Sequence, residues 1–595
     1  MTEPSVPLQL ASPEPAKIRR QWLERGLLAV LLLGAGVALS ANKADADLWG
    51  HILFGLETIA AGGPHHHATH TYTATSHPWV NHENLSEIAL AVVHRVGGGQ
   101  GLLLTKLALG LLMVGSMIAM ARRRGVSVVT ICVVLLTVAI NLTPGWTLRP
   151  QLFTYAALAA MVLLLDAAFA DWDSNGTIRF GWLWLTAPLM MVWVNAHGGF
   201  LAGYGLLVLY LMVRAFQAGL RNGIAAWPVV IQLALVLAGG ALATLLTPYG
   251  PLMHRWIAGA MSQPPVEITE WARLWPGANG FWSAVLLMVL VAASLVGTTR
   301  RRDPAQILLI AVAGCQAISH VRHVPLLAIL VGYWIPNHCE SLLARLRHAL
   351  SADGGRSQDI VMSRTVFALC GGLLATACLV LGGVLVERTQ QLNVDRGEFP
   401  VAAIEYMANR GLNGRLVVTY NWAQYALVAL PESTVGFDGR FDTCYPQSVL
   451  DAHFDFVLGN HPELRTRPLA PGSARGDATG PSPATGPSPG TLALELGAPQ
   501  LALVSRRQPH STQLLSEHPD WVLLYQDQMA QVWGRKSRFA DPASLDYIPP
   551  SSRIIGDDAQ QGMAAWPALP ATRLAARQTA SNFPPLRLPA RKEDT

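Results

Sequence analysis

Over the first two-thirds of this chain the apolar residues come in long runs broken by short polar stretches. Eleven runs are nearly free of charge: 24–41, 101–121, 126–143, 152–170, 180–196, 199–216, 226–247, 281–298, 305–319, 324–337 and 364–386. A helix rises about 1.5 Å per residue, so about 20 apolar residues carry it across a hydrocarbon layer of about 30 Å. Each run is therefore predicted as a spanning helix, with 305–319 and 324–337 short for the task. The pattern predicts an all-α polytopic membrane domain of about eleven transmembrane helices over 24–386, behind a short segment, 1–23. The first run lacks a small-residue cleavage site and reads as an anchor.

The loop 42–100 carries a different pattern. On a wheel of 100° per residue, Leu48, Trp49, Ile52, Leu53, Leu56 and Ile59 share one face, and Asp47, His51 and Thr58 the opposite one. Over 82–95, Leu85, Ile88, Ala89, Val92 and Val93 oppose Glu83, Glu87 and His94, with Asn81 placed as a cap. Both stretches are predicted as helices lying in the membrane interface, their polar faces toward water.

Beyond residue 387 strand-like and helical stretches alternate. Strands are predicted over 415–420, 434–438 and Leu501–Ser505, and a hairpin over Trp521–Gln526 and 529–533. Helices fall near 400–409, 422–429 and 446–459, so 387–539 reads as an α/β domain with a partly parallel sheet. The repeat GPSPATGPSPG marks 466–490 as a flexible insertion. Residues 540–595, rich in Pro, Ala and Arg, are predicted as a disordered tail.

Composition agrees: 51% of residues are hydrophobic and 14% charged, against about 25% charged in a soluble domain. A net charge of +5 calls for no nucleic acid, because the basic residues lie between apolar runs. Counted over alternate loops they divide seventeen to six. Positive residues stay inside, which predicts a cytoplasmic N-terminus and an extracytoplasmic 387–595. The six cysteines form neither a CxxC zinc pattern nor a disulfide framework.

The chemistry-bearing residues gather on the outer side. Asp45, Asp47, His51, His82 and Glu83 occupy the first outer loop; Arg149, Gln151, Asn195, His197, Arg322 and His323 lie at outer ends of spans. Twelve of the eighteen histidines fall on outer segments, which keeps a divalent metal as a candidate cofactor, with Asp45, Asp47 and His51 as candidate ligands. Plainer readings stand beside these. Asp45 and Asp47 can cap the next helix. Glu83 and Glu87 can form a solvated face. His65, His66 and His67 complete no zinc-ligand spacing. Lys106 can snorkel or pair inside its span. Asp438 and Arg440 can pair within the outer domain or bind an acceptor.

Several stretches together resemble the GT-C class of membrane glycosyltransferases, and more closely a bacterial branch of it: Asp45-Ala46-Asp47-Leu48-Trp49-Gly50-His51, Trp79-Val80-Asn81-His82-Glu83, Leu148-Arg149-Pro150-Gln151, Trp193-Val194-Asn195-Ala196-His197-Gly198-Gly199, Thr247-Pro248-Tyr249-Gly250, Arg322-His323, Asn421-Trp422-Ala423-Gln424-Tyr425 and Phe437-Asp438-Gly439-Arg440. The likeness covers roughly 25–535. It departs at Gly50, where a second aromatic is expected, and at Ala423 and Gln424, where glycines are expected. The resemblance implies a multi-pass protein of the bacterial cytoplasmic (inner) membrane. Such a protein would transfer a sugar from a polyprenyl-phosphate donor in the membrane lipid to a glycan, lipid or protein acceptor. It further implies Asp45 or Asp47 as the catalytic base, with the other supporting it or a metal. Arg149, Arg322 and His323 are the candidates to neutralise the lipid phosphate. Two other functions compete. A transporter would place its polar residues near the midplane, and a non-catalytic scaffold would keep the fold without the chemistry.

Overall fold

The computed structural model describes residues 14–262, 267–350, 363–459 and 490–576. The predicted insertion over 466–490 falls almost wholly outside the described residues. A helix occupies each of the eleven apolar runs. Six stretches are long and apolar enough to cross a membrane by length and composition: Lys17–Leu39, Asn84–Arg123, Val128–Gly145, Gln151–Asn175, Phe200–Ala243 and Arg364–Gln390. The remaining apolar helices have 10–17 residues. The chain is a multi-pass membrane protein.

We label the first five helices α1 (Glu14–Leu39), α2 (Leu48–Ala61), α3 (Asn84–Arg123), α4 (Val128–Leu142) and α5 (Gln151–Ala168). α1 buries Leu31, Ala35 and Leu39, a stripe at four-residue spacing. It packs beside the last apolar helix, Arg364–Gln390. The chain leaving α1 meets the chain leaving that helix. Ala44 N–H donates to Asn393 O (2.7 Å), Asn393 N–H donates to Asn42 O (2.8 Å), and Lys43 Nζ lies 2.6 Å from Asp395. This tie fixes where Asp45 leaves the membrane domain.

The loop 42–100, predicted as the first outer loop, departs from its prediction. α2 is no interfacial helix with a wet face, for ten of its fourteen residues are buried. One side packs on α3, where a side chain at Gly55 would run into the Glu87 carbonyl. The other side meets the C-terminal domain, labelled the outer domain after its predicted side: Trp49 packs edge-on against Phe399 and tilted against Tyr425 and Trp566, and donates to Pro567 O (3.1 Å). The second predicted interfacial helix is the first part of α3, continuous with the next span across a kink at Gly98 (φ 58°, ψ −152°), a conformation that favours glycine. Glu83, not Asn81, stands at its N-cap, and the Asn81 side chain instead accepts the Glu83 N–H (3.0 Å). Lys106, buried in α3, donates to Ala41 O.

The outer domain holds a six-stranded sheet ordered β3-β2-β4-β6-β5-β7, with β2 Arg415–Val418, β3 Thr434–Val435, β4 Leu501–Ser505, β5 Trp521–Gln526, β6 Ala530–Arg535 and β7 Ile554–Ile555. β2 pairs in parallel with β3 and β4, whereas β6 runs antiparallel to β4 and β5. Every residue of β4 is buried, as suits a strand covered on both faces. Helices Val401–Asn409, Ala423–Ala429 and Gln447–Leu458 stand where helices were predicted. The tail is different. Residues 540–576 are ordered: β8 (Met563–Ala565) pairs antiparallel with β1 (Asn393–Asp395), and the strap continues over Trp49. Its apolar residues find partners only across the fold, so composition alone could not show that order.

Candidate active site

Between the membrane helices and the outer domain lies a cavity of about 1110 Å³. Of the eleven predicted site residues, ten line it. Asn195 does not: its Nδ2 donates to Met191 O (2.8 Å) and Leu246 O (2.9 Å), which ties two helix ends together.

Asp45 and Asp47 bracket the turn that starts α2. Asp47 N–H donates to Asp45 Oδ1 (3.1 Å). Asp47 occupies the N-cap of α2, but its side chain makes no capping bond. Both carboxylates face Arg149 instead, which the tight turn before α5 delivers. Arg149 Nε lies 2.5 Å from Asp45 Oδ1 and Nη2 lies 3.3 Å from Asp47 Oδ2. Its third contact is Glu270, at 2.9 Å from Nη1. Glu270 was not foreseen, because it stands in a loop whose sequence holds no periodicity. Burial pushes the Asp47 carboxyl up to about 6 against the pull of Arg149, helped by the neighbouring Asp45. Gln151 lines the cavity while tied back to Gly145 O (3.2 Å).

A second cluster lies one turn further along α2. Nδ1 of His51 stands 3.2 Å from Glu87 Oε1 and 4.0 Å from Glu83 Oε2. Burial alone would lower the His51 pKa, but the Glu87 bond and the charges of Glu83, Glu87 and Asp47 outweigh it and hold it at about 9. Glu83 is ringed by imidazoles, with His82 Nε2 and His197 Nε2 each 3.6 Å from Oε1. Burial would raise its pKa, yet the charges of His82, His51 and Arg149 hold it below the usual carboxylate range. His197 is driven down to about 3 by burial, so it is neutral. Its Nδ1 accepts the Gly199 N–H (2.9 Å), which leaves Nε2–H to face Glu83. Glu87, read as part of a possible solvated face, is 3% exposed and accepts from Asn81 Nδ2 (2.6 Å).

Arg322 and His323 come from the short turn Val321–His323. The Arg322 guanidinium lies over Trp271 (4.4 Å to the ring centroid) and pairs with no carboxylate among the described residues. From the outer domain, Arg440 pairs with buried Asp438 (2.7 Å), donates to Thr69 O (2.6 Å) and lies over Phe54 and Trp79. The pair thus holds the domain onto the first loop. Gln424 fills the space beside Gly50, where a side chain would strike its amide. Two of the three departures from the GT-C-like pattern, Gly50 and Gln424, are one feature, a glycine making room for a carboxamide at the cavity wall.

Among the described residues the ligand atoms that converge are those of His51, Glu83 and Glu87, and Asp45, Asp47 and His51 form no such group. Arg149 sits on the aspartates and supplies their positive charge.

No protein-family model matches the chain, and no curated protein matches it. Among solved structures it is similar to the archaeal oligosaccharyltransferase AglB from Archaeoglobus fulgidus in complex with an inhibitory peptide and a dolichol-phosphate. That likeness has 11% identity and a TM-score of 0.44, over 80% of this chain and 69% of that one. It is also similar to ArnT from Cupriavidus metallidurans bound to undecaprenyl phosphate, with 14% identity and a TM-score of 0.44, over 88% of this chain and 98% of that one.

Proposed function

We propose that this chain is an integral membrane glycosyltransferase. It moves a sugar from a polyprenyl-phosphate donor to an acceptor at the extracytoplasmic face of the bacterial cytoplasmic membrane. One observation carries the reading: carboxylates leaving the first span and cations from distant helix ends line a single cavity under the outer domain. The uneven basic loops favour that side as the outer one.

Inverting transfer needs a base for the acceptor's proton and positive charge for the departing phosphate. Asp45 is committed to Arg149 at 2.5 Å and to the Asp47 N–H. Asp47 keeps only the longer contact of 3.3 Å, so it is the base and Asp45 a positioning residue. The acceptor oxygen attacks the anomeric carbon as its proton passes to Asp47. The bond from that carbon to the phosphate oxygen breaks, and its electron pair stays on the lipid phosphate. Arg322, which lies over the Trp271 ring and has no carboxylate partner among the described residues, offers its planar fork to that phosphate. Leu201, Ile257, Leu274 and Leu326 give the cavity an apolar wall suited to the prenyl chain.

Native mass spectrometry of the purified protein with a polyprenyl phosphate tests the donor half. The wild type should hold one lipid, and Arg322→Ala should weaken binding by tenfold or more, on the order expected for a hydrogen bond to a charged group. Equal binding in both proteins would remove Arg322 from the site, and no binding in either would remove the donor.

A further inference from the structure

We propose that His51, Glu83 and Glu87 form a binding site for one divalent transition-metal cation on the wall of the cavity. One ligand atom from each residue lies within 4.8 Å of the other two. A cation held at about 2.0–2.2 Å by imidazole and carboxylate separates its ligand atoms by about 3.5 Å. The distances of 3.2 and 4.0 Å from His51 Nδ1 to the two carboxylates bracket that value.

The outer shell is arranged for the same purpose. Each glutamate turns one oxygen toward His51 and has the other held. Glu83 Oε1 faces His82 and His197 at 3.6 Å, and Glu87 Oε2 accepts from Asn81 at 2.6 Å. The Asn81 bond is of the kind that orients a metal-binding carboxylate and tunes its affinity, and the two imidazoles stand beside the second oxygen of Glu83. Three protein ligands leave a position open to the cavity, the pattern of a catalytic rather than a structural site. One imidazole and two carboxylates suit Zn²⁺ or Mn²⁺. The neighbouring aspartates do not compete, because Arg149 already supplies their positive charge.

A cation here would supply charge to a phosphate bound in the cavity. That part rests on the transferase reading, while occupancy of the site does not.

The test is equilibrium dialysis of chelator-stripped, detergent-solubilised protein against Zn²⁺ and Mn²⁺, with bound metal counted by mass spectrometry. The wild type and Asp45→Asn should each bind about one equivalent. Glu87→Gln and Glu83→Gln should bind more weakly by at least the roughly tenfold to hundredfold that loss of an outer-shell partner costs. Thermal unfolding identifies any variant that has lost its fold, and two independent glutamate variants guard against that case. The triple variant His65→Ala, His66→Ala, His67→Ala should keep its metal. No stoichiometric binding to the wild type, wild-type affinity in both glutamate variants, or loss of metal from the histidine triple would each overturn the assignment. Metal binding without polyprenyl-phosphate binding keeps this site and sinks the transferase reading; the reverse outcome does the opposite.

Discussion

Two acidic pairs line one cavity and meet different answers. Asp45 and Asp47, two residues apart in a turn, share the guanidinium of Arg149. Glu83 and Glu87, one helical turn apart at the start of α3, share the imidazole of His51. A guanidinium keeps its charge at any physiological pH and cannot leave its partners. An imidazole, even one held at about 9 as His51 is, can yield its proton to an incoming metal and become a ligand. The first pair is therefore closed to cations and left with proton chemistry, and the second is open to them. Paired carboxylates alone do not reveal a metal site; what stands opposite them decides.

That contrast can be broken in graded ways. The largest effect belongs to Asp47→Asn, which should cut sugar transfer by about 10² to 10⁴, the usual worth of a general base. It should leave divalent-metal uptake unchanged. Next comes Arg149→Met, which leaves two carboxylates without their shared cation. Breaking a buried pair costs about 3–5 kcal/mol. Arg149 is 24% exposed, so solvent should reduce the loss to about 2 kcal/mol. The thermal midpoint should fall and partly recover when Mn²⁺ is added, because the closed pair has become an open one. A midpoint unaffected by the substitution would show that Arg149 does not bind the two aspartates together. The smallest effect belongs to Asn195→Ala. Its side chain holds two backbone carbonyls outside the cavity, so stability should drop by about 1 kcal/mol with transfer unchanged. A large loss of transfer at unaltered stability would return Asn195 to the site.

Much of this architecture is legible in the sequence because it is local. Long apolar runs specify helices, and Leu501–Ser505 reads as a strand from five residues alone. Ten of the residues that line the cavity could be named, from polar groups at helix ends and from the stretches that resemble the GT-C class. What escaped depends on contacts between remote parts of the chain. The polar side of α2 reads as solvated until Glu87 of α3 lies against His51. Trp49 reads as facing the membrane until the 563–567 strap arrives from more than five hundred residues away. Asn195 sits in the right turn but is spent on backbone carbonyls, a local geometry that residue type does not disclose.

The most direct test of the central claim works whichever sugar is transferred. Cells carrying the wild type or Asp47→Asn, matched for protein in the membrane, are extracted, and both polyprenyl-phosphate sugars and envelope glycans are measured by mass spectrometry. The account predicts that one lipid-linked sugar accumulates in the variant while one envelope glycan loses the same residue mass. Identical lipid and glycan profiles in the two strains would contradict it.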